Sequence, residues 1–408
     1  MRRGQLKDYF AAAAVKSLTS VDCKNAGTSN QHEIGTTKEM RRQFLGECEQ
    51  RFQTLYVWLG EDQFSTEGTA THYDTRLQQP TRAPEWRLYY PSNSVTDNMR
   101  EHDALFLAMT NDGRLYFIVA PYGSTSEQQL SYLFNLYPNG RSFVSREVAN
   151  DETELDFSTR FILGLIGVEL KDPDTDGLDE IIERFGETFP KTDEFSDLAR
   201  ETLSVRVSAK DDPDTALVEW VKHEEALFKR LERRIVAPRL DKDFRDNSGI
   251  ADVDGFIQYS LSVHNRRKAR MGQALEHHVE AVFRAHEIAY VRGAETEDKK
   301  KPDFLFPSAE AYQVAPDVDS AGLTMLGVKS SAKDRWRQVL DEASKIPTKH
   351  LLTIEPAISV RQTTQMARAK LQLVVPRGIQ ASYTDEQRAW LWSVSDFMKY
   401  VRDVSTRA

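Results

Sequence analysis

Short apolar runs separated by turn residues fill the first 170 positions: 54–60 (TLYVWLG), 86–91 (WRLYYP), 104–110 (ALFLAMT), 114–123 (RLYFIVAPYG) and 160–170 (RFILGLIGVEL). Runs this short, rich in aromatic and β-branched side chains, predict strands and a mostly β N-terminal region. The pattern then changes period. Leu217, Val221, Phe228, Leu231 and Ile235 fall at three- and four-residue steps or their multiples, which predicts an amphipathic helix over 216–236. Two more helices are expected at 252–263 and 271–285. Strands follow at 288–292, 303–306 and 324–329, then a helix at about 335–346 and strands at 350–354 and 371–375. Helix, three strands, helix and strand describe an α/β core around a mixed sheet.

Between the two patterns lies KDPDTDGLDE (171–180), whose Pro, Gly and Asp break helices and solvate well, with a second stretch, DDPD, at 211–214. The chain of 408 residues carries 54 Lys+Arg against 63 Asp+Glu, a formal net charge of −9. An acidic total argues at first against nucleic acid as a partner. The acidity is local, however. Residues 151–200 hold 15 acidic and 5 basic side chains, a balance of −10, so the other 358 residues carry +1. The acidic run reads as a solvated boundary and leaves the partner open. No apolar stretch approaches the roughly 20 residues needed to span a bilayer, and the run at 9–15 makes a poor signal peptide. Two cysteines, Cys23 and Cys48, suit a reducing compartment, so the cytoplasm is expected.

Three charged residues stand out against the apolar pattern. In KKPDFLFPS (300–308), Asp303 precedes the apolar run Phe304-Leu305-Phe306, where a carboxylate must be solvated, paired or metal-bound. LTMLGVKSS (323–331) ends a second apolar strand with Lys329, and Glu342 lies on the expected next helix. Such a set suits phosphodiester hydrolysis. Two carboxylates hold Mg²⁺, which prefers oxygen ligands, and a lysine orients water and stabilises developing charge. The same residue types also serve as solvated ends of edge strands.

KKPDFLFPSAEAY (300–312), NRRKARMGQALEHHVEAVF (265–283) and VKSSAKDRWRQVLDEASKI (328–346) resemble, in order, the C-terminal domain of the EcoRII-like type II (type IIE) restriction endonucleases, with weaker likeness over about 185–408. The resemblance implies a PD-(D/E)XK nuclease fold with Pro302-Asp303 as the PD element, Lys329 as the catalytic lysine and Glu342 as the second metal-binding carboxylate. The usual acid would fall at Gly327, and in this subgroup it has moved to the following helix. Glu276 matches a further active-site acid, or is a helix-face glutamate paired with a neighbour. His277 and His278 are adjacent and cannot share one helix face, which excludes a paired-histidine metal site.

By the same resemblance, Lys333, Asp334 and Arg335 read cytosine–guanine pairs, a role their donors and acceptor suit. Trp336 is expected in the core, and Arg337 either on a phosphate or in solvent. Arg266, Arg267 and Lys268 are expected in an interhelical loop, contacting the DNA backbone. Trp220 is expected to pack in the core, with receipt of a flipped base as the alternative. Residues 25–35, 72–76 and 80–90 resemble, more weakly, a DNA-binding pseudobarrel. There His32, Arg76, Arg82 and Arg87 are candidate DNA contacts, with Glu85 and Trp86 as base readers, although Trp86 also suits a core.

The implied architecture is multi-domain α+β. It has a mostly β pseudobarrel effector domain at 1–170, an acidic linker at 171–190, and an α/β catalytic and dimerisation domain at 191–408. The implied activity is Mg²⁺-dependent cleavage of double-stranded DNA by a homodimer at a short C/G-containing near-palindromic site. A second copy of the site on the N-terminal domain would activate it, and a cognate methyltransferase would belong to the same system without direct contact. The rivals are a structure-specific or repair nuclease on the same fold and a DNA-binding regulator with an inactive nuclease core.

Overall fold

The computed structural model describes residues 4–23, 32–79, 81–149, 151–152, 154–170, 178–241, 244–245, 249–316, 322–332 and 335–405. It divides into two compact units: Met1–Pro173 with Pro356–Gln362, and Asp174–Glu355 with Thr363–Ala408.

Unit 1 is built on β1 (Phe10–Ser17), β2 (Glu33–Gly35), β3 (Gln50–Leu59), β4 (Gln63–Asp74), β5 (Trp86–Tyr89), β6 (Ala104–Thr110), β7 (Leu115–Ala120) and β8 (Val144–Glu147), with helices α1 (Lys38–Met40), α2 (Thr125–Phe134) and α3 (Phe157–Leu165). The strands form one sheet in the order β2-β5-β4-β3-β7-β6-β1-β8. All neighbours are antiparallel except β3 and β7. Alternate residues serve opposite faces. Ala104, Phe106 and Ala108 of β6 pack with Ile118 of β7, Leu130 of α2 and Ile162 of α3, while Leu105, Leu107 and Met109 pack with Phe117, Tyr56 and Tyr90. The central strands therefore bury both faces.

Four of the five strand-like runs expected here are strands. The fifth, 160–170, falls mostly in the helix α3. Asp156 caps it, its Oδ1 accepting from Thr159 N at 2.8 Å, and Phe157, Ile162 and Leu163 are buried. A short apolar run cannot by itself distinguish a buried strand from a buried helix.

Unit 2 contains helices α4 (Leu178–Glu183), α5 (Thr192–Leu203), α6 (Pro213–Asp241) and α7 (Val253–Ala285), followed by β9 (Val291–Arg292), β10 (Phe304–Phe306), α8 (Ala309–Val314), β11 (Thr324–Lys329), α9 (Trp336–Leu340) and β12 (Lys349–Thr353). Then come α10 (Val360–Arg368), β13 (Leu371–Val374), α11 (Arg377–Gln380), α12 (Asp385–Trp390) and α13 (Val394–Ser405). The sheet order is β13-β12-β11-β10-β9, parallel from β11 to β13 and antiparallel on the β9–β10 side. Phe283 of α7 meets Phe304, Phe306 and Phe397 at ring separations of 5.3–6.2 Å, which fixes α7 against the sheet.

Two expectations need correction. The helices expected at 252–263 and 271–285 are one helix, α7, so Arg266, Arg267 and Lys268 lie on a helix and not in a loop. No proline interrupts 253–285, and Asn, Arg and Lys are tolerated on an exposed helical surface. The helix expected to reach 346 ends at Leu340, and Glu342 lies beyond it. Ala343 has φ 49°, a left-handed conformation that ends a helix.

Candidate active site

Asp303 precedes β10, and Lys329 ends β11, the antiparallel neighbour. Asp303 Oδ2 accepts from Val328 N at 2.6 Å and from Lys329 Nζ at 2.8 Å. Among the described residues none bonds Oδ1. This pair lies where a buried strand meets solvent: the Lys329 and Asp303 side chains are 21% and 17% exposed.

Glu342 approaches from the turn after α9. Its carboxyl group is pushed up to about 7, first by burial and then by the negative charge of Asp303, with Lys329 and Lys349 pulling the other way. Glu342 Oε2 is buried and has no hydrogen-bond partner among the described residues. Glu276 of α7 is raised in the same direction, by burial and then by Asp303. The structure thus brings together all four residues singled out in the sequence.

Gly327 bears on how the acids are arranged. A Cβ there would lie 2.8 Å from Val339 Cγ2 of α9. The position that carries an acid in the usual motif has no room for one while α9 packs this closely, and the turn after the same helix carries Glu342.

Arg292 on β9 has no counterpart in the sequence reading. Its guanidinium bonds Glu276 Oε2 at 2.8 Å, Glu280 Oε2 at 2.7 Å and His277 Nδ1 at 3.2 Å. Burial and the two glutamates act on it in opposite senses, and its pKa rises overall. Lys349, at the head of β12, is also new to the site: it is buried, and burial lowers its ammonium to about 8. Both are single charges in strand sequence, Arg292 with side-chain partners 12–16 residues away and Lys349 with a backbone carbonyl as acceptor, so no local pattern marks them.

No set of three or more His, Cys, Asp and Glu among the described residues is disposed to hold a metal ion. The pair Asp303 and Glu342 nevertheless fits a hard cation. An orphaned buried carboxylate oxygen next to a second carboxylate is relieved by a positive charge, and Mg²⁺ completes its shell with water. His277 and His278 face apart. His278 is fully buried, with Nε2 3.0 Å from Glu224 Oε2 and Nδ1 2.9 Å from Arg200, whereas His277 meets Arg292.

Lys333 and Asp334 lie outside the described residues. Arg335 is exposed, and Arg337 bonds Gln365 Oε1 at 3.3 Å over the buried Trp336. Just before this segment, the fully buried Glu355 carboxylate accepts from Ala332 N at 2.6 Å and Ser331 Oγ at 3.2 Å. On α7, Arg267 Nε bonds the buried Glu232 at 2.7 Å and Arg266 stacks 4.2 Å from the Phe189 ring. Nine residues along a helix is about half a turn off in phase, so Arg267 faces away from Glu276. Lys268 is exposed, and Trp220 is buried beside His278.

In unit 1 the candidate contacts gather at the β2–β5 margin of the sheet. Arg76 pairs with Glu85, and Arg87 pairs with Glu85 at 2.6 Å and Glu33 at 3.2 Å. Arg82 bonds Gln79 at 3.0 Å, His32 meets the Tyr90 ring edge-on, and Trp86 stacks on His72 at 4.8 Å.

Comparison with known proteins finds relatives of part of the chain. Residues 228–398 match the family model described as EcoRII C terminal. Over 204 residues the chain is 38% identical to the type II restriction enzyme EcoRII of Escherichia coli, covering 50% of this chain and 49% of that protein. The chain thus spans about half the length of the curated relative it matches. Similar solved structures include metal-depleted Ecl18kI in complex with uncleaved, modified DNA, at 17% identity, 56% of this chain, 83% of that one and a TM-score of 0.46. Another is the restriction endonuclease PspGI–substrate DNA complex, at 14% identity, 59% of this chain, 100% of that one and a TM-score of 0.44. The stretch that matches the EcoRII C terminal model, residues 228–398, carries Glu276, Asp303, Lys329 and Glu342.

Proposed function

We propose that this protein is a type II restriction endonuclease that hydrolyses phosphodiester bonds of double-stranded DNA at a short C/G-containing site. The observation that carries the reading is the convergence of Asp303 and Lys329, at the ends of the neighbouring strands β10 and β11, with Glu342, whose buried Oε2 has no hydrogen-bond partner among the described residues. The match of residues 228–398, which contain these residues, to the EcoRII C terminal model and the 38% identity to a type II restriction enzyme over 204 residues support it.

Asp303 and Glu342 would hold Mg²⁺, which would neutralise charge on the phosphate and make bound water a stronger nucleophile. Lys329, fixed by Asp303 Oδ2, donates to the attacking water or to a phosphate oxygen, where developing negative charge is stabilised. Arg292 holds Glu276 beside Asp303 and offsets one of the three carboxylate charges. Attack by water and departure of the 3′ oxygen leave 5′-phosphate ends. Lys333, Asp334 and Arg335 read the C/G pairs, Arg337 and Lys268 suit phosphate contacts, and Arg266 and Arg267 have helix partners of their own.

Unit 1 is read as a pseudobarrel effector domain that binds a second copy of the site through His32, Arg76, Arg82 and Arg87. The active form is read as a cytoplasmic homodimer with one site per strand, in a system with a methyltransferase that guards the same sequence. The test is digestion of a sequenced plasmid with Mg²⁺, mapping every end. Discrete ends at one sequence are expected, while Asp303→Ala and Lys329→Ala bind DNA and do not cut. Undiminished nicking by both variants overturns the site assignment, and random ends overturn sequence recognition.

A further inference from the structure

Glu342 stands outside any helix, in a turn that should leave a side chain loosely held. The turn is instead tied at three consecutive residues. The Ala343 carbonyl accepts from Ile346 N at 3.0 Å and from Lys349 Nζ at 2.5 Å. Ser344 N donates to Glu297 Oε2 at 3.2 Å. Lys345 N donates to Tyr312 Oη at 3.3 Å, and that hydroxyl donates to Glu297 at 2.6 Å.

Of these ties, the one from Lys349 is the costliest to build. Lys349 is 5% exposed and opens β12, whose five residues are all buried. A buried ammonium carries a desolvation penalty that an aliphatic residue of similar length would avoid. Among the described residues its hydrogen-bond acceptor is the carbonyl of Ala343, a non-glycine residue held at φ 49°. Left-handed backbone strains such a residue, and without an anchor the turn relaxes. The charges facing the ammonium are Glu297, Glu342 and Asp341.

We propose that Lys349 is a positioning residue whose ammonium holds the left-handed turn at Ala343 and so keeps the Glu342 carboxylate beside Asp303. The inference rests on reading Asp303 and Glu342 as the metal-holding pair. Lys349 itself touches neither substrate nor metal.

Mn²⁺ binding to the full chain, followed by the loss of the free-ion electron paramagnetic resonance signal, tests it apart from catalysis. Lys349→Met is expected to weaken Mn²⁺ binding roughly 10-fold or more, the usual effect of removing a group that orients a metal ligand. Its affinity for DNA in EDTA is expected to stay unchanged. Lys349→Met combined with Ala343→Gly is expected to regain part of the Mn²⁺ affinity, because glycine adopts the left-handed turn without an anchor. Wild-type Mn²⁺ affinity in Lys349→Met, or a loss that Ala343→Gly does not relieve, overturns the proposal. Failure of both proteins to fold, read by thermal unfolding, makes Lys349 a plain core requirement and overturns it as well. Asp303→Ala is the control. If it binds Mn²⁺ like wild type, the metal reading itself has failed. If it loses Mn²⁺ while Lys349→Met retains it, only the role of Lys349 has failed.

Discussion

At residue 327 the close approach of Val339 leaves space for a hydrogen atom and little more. Gly327→Ala is expected to destabilise the protein by about 1–3 kcal/mol, as overpacking does, measured by urea unfolding. Gly327→Glu is not expected to rescue Glu342→Ala in a cleavage assay, because the new side chain meets α9. Glu342 also gives a pH prediction. Its pKa in the metal-free fold is raised to about 7 from the ordinary 4.5. A raised acid stabilises the fold below its ordinary pKa, and that contribution is lost as pH rises through about 7. A cation bound to the ionised carboxylate restores it. Mg²⁺ is therefore expected to raise Tm more at pH 8 than at pH 6, with the difference absent in Glu342→Gln. Asp303 and Lys329 were legible in the sequence because each charge abuts an apolar run. Arg292 and Lys349 were not, since what marks them is a partner across space: Glu276, 16 residues away, for one, and a backbone carbonyl for the other.

Among elements, strands were read well wherever aromatic and β-branched residues recur, as in β3, β6 and β7. The run Phe10–Ser17 is half alanine, a poor strand former, yet it pairs with β6 on one side and β8 on the other. Small side chains fit between two packed faces, and that tertiary requirement overrides propensity. Helix ends were harder. The polar stretch 264–268 looked like a break because its residues are soluble, but solubility does not end a helix. One long-range cap was invisible from sequence. Asp214, 1% exposed near the start of α6, accepts from Arg377 N at 3.1 Å, Val394 N at 2.9 Å and Ser395 N at 3.2 Å, at the first turns of α11 and α13. Asp214→Ala is expected to cost about 2–3 kcal/mol by urea denaturation, since it strands three backbone donors at once.

For the molecule as a whole, the net charge of −9 does not describe the surface offered to a partner. The excess acid lies in 151–200, apart in sequence from every proposed catalytic and base-reading residue, and the proposed catalytic site itself gathers the carboxylates Glu276, Asp303 and Glu342. If the N-terminal unit binds a second copy of the site, a plasmid with two copies should be cut faster than one with a single copy. Short site-containing duplexes added in trans should then restore the rate on the single-copy plasmid. Equal rates under all three conditions would leave the N-terminal unit without an effector role. The candidate contacts of that unit were named only from a weak resemblance, and the pairing of Arg87 with Glu33 depends on β2 and β5 being neighbours, which spacing alone does not reveal.

If unit 1 binds DNA as proposed, its sheet also restricts how it meets a duplex. β1, β6 and β7 have committed both faces to packing, so no broad pleated surface at the centre is left to lie in a groove. Contact has to come from the margin, where strand ends and loops act as fingers rather than a palm. Fingers carrying arginines already clasped by glutamates must let go of one partner to grip another, so phosphate competes with carboxylate for the same guanidinium groups.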